Sequence, residues 1–394
     1  MTENLASNQN LKRRRTWRAL RATDFESLMY PNFCVSFILG IFPYKCESSR
    51  YVFSGTRFAC SSLVFFIFII FTSVSVYQMN FGTLTFNNIS RTTFTNFGYI
   101  WNGGIVVAMY ILSLPRLRVL QSLAEMSQIL SSKDFDDLGK LFHTKDFLSF
   151  LFVIIHLPNC FRTSVYHTMR YLVSIYMVLT CLSLDMFYMN CVCILKACFG
   201  KINEGLGELS RPTANDNTCA KNTLRDGREC SLLLVKLKYL EQKYLNISDA
   251  VQLLNATFFL HNTMLTVLTF VIVIFNAYYF ILWLHGGYTV DVTAQIWYIQ
   301  FLSSALHHML KFVMIIWACE TAKNQALEIG TTVHDVLGDT TDTLVKQELE
   351  LFSLQILHRD NTYSAKLVTM NAALLTQRTE GHSRMFIKAK SIDE

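Results

Sequence analysis

Two charged residues stand inside otherwise uncharged apolar stretches of this chain: Asp185 within Tyr171–Leu195 and Lys311 within Val292–Cys319. An ionised side chain in hydrocarbon is costly unless it faces a bundle interior, a wet cavity or an opposite charge, so each marks either a buried structural pair or a ligand or ion pathway. Allowing ~1.5 Å per helical residue, the two fall at nearly one depth. A salt bridge between them is geometrically open, and so is a separate partner for each in water, backbone or another subunit. His308 lies one helical turn before Lys311 and shares its face.

A second set of residues suits a small amphipathic ligand. Near the ends of the apolar stretches stand Tyr99, Asn102, Tyr171, Tyr279, Trp297 and Gln300, with Trp101, Tyr166, His167, Trp283 and Tyr298 beside them. These offer ring faces and hydrogen-bonding tips. We take Tyr99, Asn102, Tyr171, Tyr279, Trp297, Gln300 and His307 as the ligand-binding candidates. The Trp and Tyr residues equally fit an aromatic belt at the membrane interface, a reading that accounts less well for Asn102 and Gln300.

Nothing has the spacing of an active site. There is no Gly-rich phosphate loop, no H-E-x-x-H and no nucleophile elbow. His307 and His308 are adjacent and point to different faces, which makes them poor co-ligands. The 11 cysteines include no pairs with zinc spacing. We therefore expect no metal, no cofactor and no enzymatic activity.

The elements that must position these groups are membrane spans. Composition points that way: 52% of residues are hydrophobic and only 16% charged, too few charges to coat a soluble surface of this size. Six stretches read as spans: Phe58–Met79, Phe97–Leu114, Phe147–Phe161, Tyr171–Leu195, Ala250–Leu284 and Val292–Cys319. Gly103 and Gly104 give the second a small face for close helix approach. Phe33–Tyr44 is too short to span and reads as an interfacial or re-entrant helix, with a buried core helix as the plain alternative.

Lysine and arginine crowd the segment before the first span and the loops after the second and fourth, so those segments face the cytoplasm and the amino terminus is inside. The same placement explains the net charge of +6 without invoking nucleic acid, and the basic tail is suited to anionic membrane lipid. The sequon at Asn88 falls in the first outer loop and is a glycosylation candidate. The chain divides into a tail with its short helix (1–57), a six-span bundle (58–319), a polar helical anchor (320–362) and a final segment (363–394).

Beyond the sixth span come ACETAKNQALEIG and then KQELELFSLQILHR, Lys346–Arg359. Here the chain resembles the insect gustatory receptors, in which a Phe-Ser-x-Gln-x-x-His run precedes a seventh span; Phe352, Ser353, Gln355 and His358 match it. Further likenesses are Gly40 with Phe42 and Pro43, the phrase Phe199–Asn203 with Leu206, and the step from His308 to Lys311. The resemblance implies an all-α polytopic bundle of the gustatory and odorant receptor type. It further implies a ligand-gated, non-selective cation channel of four subunits, homo- or hetero-tetrameric, in the plasma membrane of chemosensory neurons. In such proteins a small-molecule tastant binds in the outer half of spans two to six, and the seventh helix lines the pore.

The chain departs from that pattern at its end. An apolar helix is expected to start at Tyr363 and stop near Gln377, after which RTEGHSRMFIKAKSIDE is too polar to cross a membrane, so the seventh helix is expected to be incomplete. A non-conducting isoform that modulates full-length partners is the alternative function. A secondary transporter is a third, against which stands the lack of an internal repeat or a pair of broken helices.

Overall fold

A computed structural model of the chain describes residues 22–47, 50–82, 89–156, 165–210, 223–285, 292–340, 342–365 and 368–369. Within hydrocarbon every backbone polar group must be satisfied inside its own segment, which a helix does. The apolar runs accordingly form helices. In chain order these are α1 (Phe25–Ile38), a hairpin of β1 (Tyr44–Glu47) and β2 (Arg50–Phe53), α2 (Gly55–Phe81), α3 (Ile89–Ile111) and α4 (Ser113–Met126). Then come α5 (Ser132–His156), α6 (Val165–Ser210), α7 (Thr223–Leu284), α8 (Val292–Asp339) and α9 (Thr343–His358), followed by two short strands, β3 (Ser364–Ala365) and β4 (Val368–Thr369).

Helix α6 is the axis of this arrangement. Its apolar window is 89% buried, against 17% for α2, 33% for α7 and 39% for α8. The outer helices each turn a face away from the protein: Leu63, Phe66 and Ile70 recur along α2 at helical spacing and are all exposed. Four described helices (α2, α6, α7 and α8) are long and apolar enough to cross a membrane. Helix α3 joins them only together with α4, from which it is bent by 65°. The bend has a local cause, because Pro115 has no N–H to continue the ladder. The buried Arg116 guanidinium donates to the Met109 carbonyl across the break at 2.9 Å. The third expected span begins on α5, where any 18-residue window takes in Lys140, Lys145 and Asp146; residues 157–161 lie outside the described set.

Gly104 lets α3 come close to α7, since a Cβ there would sit 3.0 Å from the Met264 side chain. Gly103 faces Thr72 of α2 instead.

The structure corrects two expectations. The short amino-terminal helix does not occupy Phe33–Tyr44. It starts at Phe25, behind a capping box in which Asp24 Oδ1 accepts from Ser27 N at 2.8 Å and Ser27 Oγ accepts from Asp24 N at 3.1 Å. It ends at Ile38, after which Gly40 turns the chain with φ of 72°, and Tyr44 already belongs to β1. The second correction is at the other end. Tyr363 does not begin a helix: residues 361–363 carry no regular structure, and β3 pairs antiparallel with β4. Pairing Ser364 with Thr369 turns the backbone back on itself where a seventh helix would run forward. The expected stop near Gln377 lies outside the described residues.

At the polar end of the bundle α9 packs across α7 and α8. Asp342 caps it, its carboxylate accepting from Leu344 N and Val345 N. Val345, Leu349 and Phe352 turn inward, and the Phe352 ring meets Tyr244 edge-on with centroids 5.5 Å apart. Gln355 donates to Glu241 at 2.5 Å, and Ser353 lies 3.4 Å from His334 Nε2. His358 is exposed in the last turn. Lys201, in the Phe199–Asn203 phrase of α6, bridges to Asp134 at the start of α5 at 3.1 Å. Burial pushes the Asp134 carboxyl up, but hydrogen bonds from Ser131 and Lys201 outweigh it, and the net shift is downward.

These contacts separate the motif into a packing part and a surface part. Phe352→Ala leaves a cavity against Tyr244 and should cost about 3–5 kcal/mol of stability, whereas His358→Ala should stay within ~0.5 kcal/mol. Thermal unfolding of the detergent-solubilised protein measures both; equal midpoints for the two variants would refute the division.

Candidate functional site

Helices α6, α7 and α8 bring three ionisable side chains together in the middle of the bundle. Lys311 Nζ of α8 lies 2.5 Å from Asp185 Oδ2 of α6. His261 of α7 approaches the same carboxylate from the other side, Nε2 to Oδ1 at 2.7 Å. Asp185 is 0% exposed, His261 1% and Lys311 4%. With water excluded, a lone carboxylate would carry its full desolvation cost, and two partners, one on each oxygen, are the arrangement that offsets it. His308 stands on the same side of α8, and its Nδ1 is buried without a hydrogen-bond partner, as is Nδ1 of His261.

The sequence reading named Asp185 and Lys311 and missed His261. The signal was present, since the run Ala250–Leu284 holds no Asp, Glu, Lys or Arg and His261 is its one histidine. A histidine in an apolar helix has many ordinary uses, however, and its partner is 76 residues away in sequence.

One contact ties this cluster to the candidate ligand residues. Cys181, one turn before Asp185 on α6, donates from Sγ to Asn102 Oδ1 of α3 at 3.6 Å. Asn102 also donates to the Gly98 carbonyl in its own helix at 2.8 Å. The remaining candidates face several neighbours rather than one. Tyr99 is buried beside Phe68, Val173 and Met177 and donates to the Arg170 carbonyl at 3.0 Å. Trp101, two positions on, faces the opposite way and donates to the Met264 carbonyl of α7 at 2.7 Å.

Tyr279 is buried near Phe275, which in turn meets Phe94 of α3. Tyr171 is half-buried on α6. His307 stacks on Phe152 of α5 at 4.1 Å, while its neighbour His308 turns toward the interior. Trp297 and Gln300 lie on α8, but their side chains fall outside the described set, as do those of Tyr166 and His167; Asn88 is outside it altogether.

Breaking one side of the buried cluster should be worse than removing both charges. Lys311→Met leaves Asp185 facing His261 alone and should cost ~3–5 kcal/mol, whereas Asp185→Leu with Lys311→Met should recover much of that loss. The measurement is the yield and thermal midpoint of monodisperse protein in detergent. Additive losses in the double variant would mean that the two side chains do not act as a unit.

Comparison with known proteins meets this geometry from two directions. The family model described as 7tm chemosensory receptor matches residues 29–376. The solved structure of the insect olfactory receptor OR5 from Machilis hrabei superposes with a TM-score of 0.67 at 10% identity, covering 92% of this chain and 97% of that one. The same receptor in complex with eugenol gives a TM-score of 0.60 at 12% identity over the same shares. At such identities the likeness establishes the fold. No curated protein sequence matches. Because the family model runs through nearly all of the helical bundle, and that bundle has the fold of an insect olfactory receptor along almost its whole length, this chain belongs to the 7tm chemosensory receptor family and is a multi-pass membrane receptor rather than an enzyme.

Proposed function

We propose that the receptor is gustatory: a subunit of a ligand-gated, non-selective cation channel that opens on binding a small-molecule tastant. The observation that carries this reading over an odorant one is the run Phe352, Ser353, Gln355 and His358, which resembles the gustatory members of the family. The eugenol complex of the olfactory receptor supports a small molecule as the kind of ligand. Placement in the plasma membrane of chemosensory neurons, a cytoplasmic amino terminus and assembly of four like or mixed subunits belong to the same proposal.

The physical route from ligand to pore runs through α6. A tastant held by Asn102 and by Trp297 and Gln300 would touch α3 and α8, and Asn102 is already bonded to Cys181, one turn from Asp185. A ligand that favours one rotation of these helices shifts the population toward it by its differential affinity. Asp185, gripped from α7 and α8, makes that rotation a shared property of three helices. Alanine at Asn102, Trp297 or Gln300 should move the dose–response curve of ligand-evoked current, in cells that also express a second receptor of the family, by roughly tenfold for about 1.4 kcal/mol lost. Surface protein should be unchanged; a parallel loss of both would assign these residues to packing.

A second reading is favoured by one observation. Residues 364–365 pair with 368–369 as strands where a pore-lining helix would begin, and Arg378–Glu394 is polar. On this reading the chain binds ligand and modulates partners without conducting alone. Expressed by itself, it should give no ligand-evoked current, and co-expression with a conducting receptor of the family should give a response sensitive to Asn102→Ala. Current from this chain alone would exclude the modulatory reading.

A further inference from the structure

A cavity of about 660 Å³ lies between α1, α5 and α6, within the ~300–1,000 Å³ typical of clefts that hold small ligands. Its walls are apolar, with Pro31 and Val35 from α1, Phe147 and Phe150 from α5, and Leu179 and Leu182 from α6. Of the polar groups that line it, Asn32 and Ser183 are already engaged within the protein, and the Asp146 carboxylate is paired with Lys145. Asn32 donates to the Ser183 carbonyl at 3.2 Å, and Ser36 shares a 2.8 Å hydrogen bond with the Ser183 hydroxyl. An occupant of the floor needs to supply no hydrogen bonds. Hydrocarbon fits it better than a polar solute.

The mouth identifies the source of that hydrocarbon. It opens beside Phe147, Leu148 and Phe150, which are 68%, 60% and 45% exposed, so the cavity is continuous with an outward apolar face of α5. In a multi-pass membrane protein such a face meets lipid. Along α5 the sequence passes from Lys140–Asp146, rich in charge, to the uncharged Phe147–Ile155. That change of character marks a water–hydrocarbon boundary, and His143, Thr144 and Asp146 line the cavity on its polar side. A lipid's own polarity changes at the same level. An apolar cavity open to the bilayer but left empty would forfeit the dispersion contacts of its walls, which an acyl chain restores.

We propose that this cavity is a binding site for a phospholipid, with one acyl chain between α1 and α6 and the polar region at His143 and Thr144. The proposal does not depend on the tastant reading. It has a mechanical consequence, because the α6 segment that forms one wall, Leu179–Met186, carries Cys181 and Asp185 on its other faces. Occupancy therefore bears on the stretch of α6 that the ionic cluster holds.

The test is native mass spectrometry of the full chain purified in detergent from nanodiscs of phosphatidylcholine. A phosphatidylcholine adduct should survive purification, and it should fall several-fold in Val35→Trp and in Leu179→Trp, which fill the cavity. In Phe66→Trp, on the exposed face of α2, it should persist. A second measurement covers the case in which the filled variants fail to fold. A diazirine amino acid at Leu179 should crosslink to phosphatidylcholine after detergent exchange, and the same group at Phe66 should not. Loss of lipid from both positions on exchange, equal retention in the filled variants, or capture of a protein segment at Leu179 would each overturn the proposal.

Discussion

Asp185 sits where no water reaches it, on the most buried of the described spans, and the bundle is arranged so that this carboxylate never stands alone. Burying it is tolerable only where Lys311 and His261 converge, one on each oxygen. Because those partners come from α8 and α7, the requirement fixes the rotation and height of both helices against α6. Apolar ridges and grooves admit more than one packing of two helices, whereas a partner on each carboxylate oxygen admits fewer. A buried ion pair adds little net stability over well-packed apolar residues, so its consequence here is positional.

Around this fixed axis the outer elements are held by weaker and more local devices. The amino-terminal helix docks on α6 through Asn32 and Ser36, and Pro115 bends the second span away from α4. The polar helices at the far end pack through Phe352, Tyr244 and Phe199, a run of edge-on and tilted ring contacts that continues the core beyond the membrane-spanning part. The family-like run is therefore mainly a docking surface for α9. Its polar members Ser353 and Gln355 reach His334 and Glu241 and orient that surface.

The two sites, ionic and apolar, lie on different faces of the same stretch of α6. This follows from helical geometry, because residues 179, 182, 183 and 186 share one stripe while 181 and 185 share another. A segment with a polar anchor on one side and a cavity on the other is well placed to sense both the protein interior and the surrounding bilayer.

The sequence by itself determined the class of the protein. Uncharged runs of span length admit only helices in a bilayer, and isolated charges in them must find partners inside, which singled out Asp185 and Lys311. It also pointed to the family by resemblance, through Phe352, Ser353, Gln355 and His358, and the family model bears this out at the level of chemosensory receptors. What it could not carry was pairing at a distance. His261 became part of the ionic cluster only when α7 was set against α6. Tyr99 and Trp101, close in sequence, were sent to opposite sides by the rotation of α3. The limits of the amino-terminal helix turned on a capping box that a reading by hydropathy passes over, and the hairpin after Tyr363 on a backbone pairing that apolar composition does not foretell. Composition sets which segments leave water; only tertiary structure decides which face of each meets which neighbour, because that choice is made by packing and by the few buried charges that cannot be left unpaired.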